Sequence, residues 1–107
     1  MARLDPNLLP LLGNFYVNEK QHEKAFALFD EVLKKNPQNM LATYQLGKTC
    51  AISGLRLDDG EQAMLKYLAH TPKPNEPSYA SANMSLAQIY EKKGRKAESK
   101  QKYEVAL

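Results

Sequence analysis

"LLGNFYVNEKQHEKAFALFDEVLKKNP", residues 11–37, decides the fold. Its large residues recur at three- and four-residue steps: Leu12 and Tyr16, preceded by Leu9, and then Ala25, Leu28, Phe29, Val32 and Leu33. That spacing gathers apolar side chains on one stripe of a helix. Lys20-Gln21 separates the two runs and Pro37 closes the second, so the stretch reads as two helices and a short turn. Gly13 on the first helix and Ala25 on the second are small, which lets two helices approach closely.

The helical period persists along the chain, and no stretch of strand alternation competes with it. Breaks fall near Lys20–Gln21, Asn36–Gln38, Gly54–Asp59, Thr71–Pro77 and Gly94–Arg95, predicting six helices of about 12–16 residues. Asp59, with Gln62 reaching back, reads as a helix N-cap, and Asn75-Glu76-Pro77 places proline at a helix start. Gly54 and Gly94 suit left-handed helix ends. Pro10 would break a helix begun at Asp5-Pro6, so the first helix is expected to start near Leu9 or to have a disturbed first turn.

At 107 residues, 43% hydrophobic and 25% charged, the chain has the composition of one folded domain with a modest core, spanning residues 1–107. Six prolines and five glycines are close to average usage and mark no low-complexity linker. Cys50 is the single cysteine and reads as a small buried apolar residue. No run reaches the ~20 apolar residues of a membrane span, and "MARLDPNLLP" has no signal-peptide pattern. The expectation is a soluble, by default cytoplasmic, chain, although an export signal could belong to a longer parent. The net charge of +3 lies in residues 91–107, where six basic and three acidic residues interleave. Such a helix face is laced with local ion pairs, which argues against nucleic acid.

The first helix pair repeats. Leu12-Gly13 recurs as Leu46-Gly47 and Tyr16 as Cys50, a shift of 34; Leu46, Gly47, Cys50 and Gly54 recur as Leu86, Ala87, Tyr90 and Gly94, a shift of 40. The six extra residues are expected in two turns: four in "LRLDDGEQ" and two in "HTPKPNEP".

On these residues the chain resembles the tetratricopeptide repeat family, with its 34-residue helix-turn-helix unit. The first repeat carries Leu9, Leu12, Gly13, Tyr16, Ala25, Phe29 and Pro37; the second Leu46, Gly47, Gly54, Ala63 and Tyr67; the third Leu86, Ala87, Tyr90, Gly94, Ser99, Tyr103 and Ala106. It departs from the pattern at Leu9, Lys20, Val32, Thr43, Cys50, His70 and Asn83. The resemblance implies an all-α, right-handed solenoid of six antiparallel helices in three repeats, approximately 6–39, 40–76 and 77–107. Ala25, Ala63 and Ser99 would be the flat spots facing Gly13, Gly47 and Ala87, and a Gly13→Leu change should cost a few kcal/mol. "LDPN" at 4–7 and the stop at "YEVAL" look like cut ends, so a fragment is expected, self-associating through its uncapped last helix.

No phosphate loop, nucleophile elbow or zinc-binding helix motif is present, and His22 and His70 lie in different repeats. Asp58-Asp59 read as turn and cap residues, and "NMS" at 83–85 as a chance sequon inside a helix. No catalytic residue, cofactor, metal or small-molecule substrate is expected. The resemblance instead implies a concave groove lined by Asn14, Val17 and Asn18, by Tyr44, Lys48 and Ile52, and by Met84, Gln88 and Glu91. Of these, Asn14, Asn18, Tyr44, Lys48, Met84 and Gln88 are the expected contacts for a peptide or partner protein. Chaperone-binding members grip a C-terminal carboxylate with two Lys, two Asn and an Arg, where this chain has Pro10, Gln45, Ser81 and Ser85 besides Asn14. That role is argued against. The leading reading is a protein-interaction module without catalysis. A regulatory or targeting segment of a larger enzyme, and RNA binding through the basic last helix, are the alternatives.

Overall fold

The computed structural model describes residues 9–106, and the side chains of 11–106. The expectations resting on "LDPN" and on the Leu9 side chain therefore lie outside the described residues. Six helices follow in order: α1 (Leu9–Asn18), α2 (His22–Lys35), α3 (Met40–Ser53), α4 (Leu57–Leu68), α5 (Tyr79–Lys92) and α6 (Lys96–Ala106). Consecutive helices pack as pairs, and α3 also touches both α1 and α5, while α2 packs on α3 and α4 on α5. The odd helices thus form one layer and the even helices the other, giving an all-α helical-repeat superhelix. Among the described residues there is no strand. α1, described over 10 residues, and α6, over 11, are shorter than the predicted range.

Each pair closes on a small residue of its first helix. A Cβ built on Gly13 would stand 2.7 Å from Phe29 Cζ, and one on Gly47 would stand 2.7 Å from Met64 Cε. Phe29 and Met64 therefore occupy the same place in successive repeats. This corrects the expected register of the second repeat. Its flat spot is Gly60, where a Cβ would fall 2.5 Å from that of Cys50, and Ala63 turns instead toward the first repeat's cluster. By the same count, Ser99 and Tyr103 complete the third pair, with Ser99 Oγ donating to the Ala87 carbonyl at 2.8 Å.

The inserted residues are accordingly redistributed. "LRLDDGEQ" is mostly helix, because α4 starts at Leu57; only one extra residue enters that turn, and five enter the connection between α4 and α5. Asp59 is consequently inside α4 and is not its N-cap. The N-cap is Arg56, in the left-handed region at φ 51°. Its guanidinium is held by two bonds to Asp30 (3.0 and 3.1 Å), one to Asp59 (2.9 Å) and the Phe26 ring 4.8 Å away. Those contacts offset the ~1–2 kcal/mol a non-glycine residue loses there. Gly54 and Gly94 take φ 75° and 79° as predicted, and Lys20, the residue equivalent to them in the first repeat, is forced to φ 57°.

The long connection is pinned at several points. Tyr67 Oη donates to the Pro77 carbonyl at 2.6 Å, and Tyr79 Oη donates to that of His70 at 2.9 Å. The Glu76 carboxylate accepts from the Lys73 amide and pairs with His70 Nε2 at 2.9 Å. These bonds hold its pKa down, the Lys73 amide contributing most. Ser78 rather than Pro77 opens α5, accepting from the Ser81 amide, and Asn39 caps α3 in the same way.

Candidate functional site

The residue after each small contact residue lies 100° farther around its helix, off the pair interface. In α1, α3 and α5 those residues are Asn14, Lys48 and Gln88, following Gly13, Gly47 and Ala87. They form one row across the first layer: an exposed amide, a half-buried ammonium and a half-buried amide. One turn on, a second row holds exposed Asn18, Ile52 and Lys92. The ion pairs of the described residues use Lys35, Arg56, Lys93 and Arg95 as cations, with His70 on Glu76, and leave Lys48 out. Lys92 Nζ donates to the Ala51 and Ile52 carbonyls at the C-terminus of α3, where a cation offsets the helix dipole.

The expected contact residues therefore divide. Asn14, Asn18, Lys48 and Gln88 share the open face. Tyr44 does not: it is 7% exposed, its ring 5.3 Å from that of Tyr67 and its hydroxyl beside Ser85 and Ser81 of α5. Burial raises its pKa, and it acts as a core residue at the seam between α3 and α5. Met84 and Glu91 occupy the same register positions as Tyr44 and Ala51 and are exposed at the outer edge of α5. Val17 packs on the first core cluster. Lys92 was missed, although the 40-residue shift from Ile52 points to it.

Cys50 and the carboxylates Asp58, Glu61 and Glu98 have structural roles, while the buried Nδ1 of His22 has no hydrogen-bond partner among the described residues. Burial pushes the Cys50 thiol up to about 11, so it is protonated at neutral pH and is no nucleophile. Asp58 binds Lys93 at 2.6 Å, which holds its carboxyl below the usual range. Glu61 accepts from Lys93 and Arg95, each at 2.8 Å, and Arg95 continues to Glu98. Of the six basic residues near the C-terminus, Lys92, Lys93 and Arg95 are thus engaged internally. Among the described residues no three potential ligands converge as a metal site, and no helix is long and apolar enough to cross a membrane. A second cleft of about 290 Å³ lies between α2 and α4, floored by Leu33, Thr43 and Leu46. Arg56 and Asp59, already paired, stand on its rim.

Stacked helix pairs with an open face on one layer define a helical-repeat solenoid. The family model described as tetratricopeptide repeat matches residues 11–39 and 80–107, more than half of the chain, which belongs to that family. The two matches flank residues 40–79, which hold the displaced register and the lengthened connection. Comparison with curated proteins gives no match. Repeats of this family generally mediate protein–protein interaction.

Proposed function

We propose that the open face of α1, α3 and α5 binds an extended segment of a partner protein, without chemistry of its own. The observation that carries this is the row Asn14, Lys48 and Gln88, three polar side chains set at one register, of which the charged one, Lys48, joins no ion pair among the described residues. An extended peptide presents backbone groups at regular spacing. Amides can donate to and accept from them, while an ammonium only donates. Ile52 and, at the edge, Met84 add apolar surface for its side chains. Tyr44 supports the floor from below, and Asn18 and Lys92 form the second row.

The test is a lysate pull-down read by mass spectrometry, comparing the wild type with Lys48→Ala/Gln88→Ala. Neither residue is in the core, so circular dichroism should show both proteins equally folded. A partner captured by the wild type and lost from the double variant supports recognition by the row. Identical capture by both, or capture by neither, sinks the reading.

A further inference from the structure

We propose that the outer edge of α1, presented by Leu11 and Phe15, pairs two copies of this chain, α1 against α1 about a two-fold axis. The repeat register identifies the edge as a stacking face. Leu11 corresponds to Gln45 and Ser85, and Phe15 to Thr49 and Ile89. In the second and third repeats these positions are closed off: Gln45 is 7% exposed, Thr49 1%, Ser85 6% and Ile89 0%. Ser85 lies beside Tyr44 of α3, and Ile89 Cδ1 comes within 3.0 Å of the Cβ position on Gly60 of α4. Each thus faces the preceding pair. Leu11 and Phe15 are larger or more apolar than three of these four counterparts, yet stand 68% and 53% exposed. Phe15 is also held in place, edge-on to Tyr16 at 5.9 Å.

The charges choose the occupant. Stacking head to tail would seat this edge on the outer side of α5 and α6 of another copy. There Glu91, Lys100 and Lys102 replace the first repeat's Val17, Phe26 and Leu28. Covering those ions with a helix that offers them no opposite charge costs desolvation without return. Residues 9–18 contain no charged side chain, so a second α1 meets neither repulsion nor a stripped ion. Self-association is accordingly placed at α1 and away from α6, whose exposed residues are polar except for the small Ala97 and Val105. A two-fold contact repeats the same small patch on both sides, well short of the ~800 Å² per partner of a stable complex, so the dimer is weak and concentration-dependent.

Sedimentation velocity on the 107-residue chain, from about 10 μM to about 1 mM, reads this directly. The wild type should shift toward dimer as concentration rises. Leu11→Gln/Phe15→Thr, which gives α1 the residue types α3 carries at those positions, should remain monomeric with an unchanged circular dichroism spectrum. Phe15→Lys, which sets like charges across the axis, should weaken association, with partial recovery in high salt. Val105→Ser should associate as the wild type does. A wild type that stays monomeric throughout, a double variant that still dimerises, or association abolished by Val105→Ser would each overturn the proposal.

Discussion

The junction between the first and second helix pairs and that between the second and third are built differently. At the first, α3 rests on α1 and α2 through apolar contact, Leu46 and Cys50 against Phe26 and Phe29, with two polar ties among the described residues, Arg56 to Asp30 and Lys66 Nζ donating to the Pro37 carbonyl at 2.6 Å. At the second, an apolar cluster around Met64, Tyr67, Leu86 and Ile89 is joined by polar bonds. Lys92 reaches the end of α3, Lys93 and Arg95 meet Glu61, and Tyr67 holds Pro77. Hydrophobic contact tolerates sliding, whereas directional bonds to fixed carbonyls and carboxylates set a register. The third pair is therefore tied to the second by more directional bonds, whereas the first is attached mainly by burial, with Arg56 and Lys66 as its polar ties. Within the first pair α1 is the weakest member, since Gly13 is its only fully buried residue among those whose side chains are described.

Substitutions sharpen this contrast, and the largest effect belongs at Gly60. Its neighbour is the Cβ of Cys50, fixed to the backbone, so Gly60→Leu should cost about 3 kcal/mol or prevent folding, as read by urea denaturation. Gly13→Leu should cost less, because the Phe29 ring end it meets can turn aside. Equal costs would break the assigned register. Tyr67→Phe removes one bond to the lengthened connection and should cost about 1 kcal/mol.

Lys20→Gly should act in the opposite direction, stabilising by up to about 1 kcal/mol, since only a side chain opposes the left-handed turn there. Any destabilisation would mean that the Lys20 side chain anchors the turn. The smallest effect is expected at mild alkalinity. Burial raises Cys50 to about 11 and Tyr67 to about 12, above their unfolded values of 9.0 and 10.0. The stability they contribute is whole below those unfolded values and drains away as pH rises through the folded ones. Melting temperature should begin to fall above about pH 9, and later in Cys50→Ala, where the buried tyrosines and the ion-paired Lys93 are left to lose their protons. Identical alkaline profiles for the two proteins would remove Cys50 from the account.

Much of this was legible in the sequence, for identifiable reasons. Gly13, Gly47 and Ala87 stand out because each sits in the same apolar frame, and the residue after each is on the open face by helix geometry alone. That fixed Asn14, Lys48 and Gln88. Gly60 was hidden because Ala63 is also small and the length of the turn before it depends on Arg56 accepting a strained backbone. Tyr44 was misread because whether its position is open depends on the next helix: α5 covers it, while nothing described covers Met84. The polar tying of the second junction rests on Lys92, Lys93 and Arg95 finding partners at least 32 residues away, which local periodicity does not encode.

Residue-resolved amide hydrogen exchange on the free chain tests the unequal junctions most directly. Protection should be greatest in α3 and α5, close to global stability, with α1 exchanging by local opening at far lower cost. Uniform protection across α1, α3 and α5 would contradict the account, since it would mean that burial with the two polar ties of Arg56 and Lys66 holds the first pair as firmly as the larger set of polar bonds holds the third.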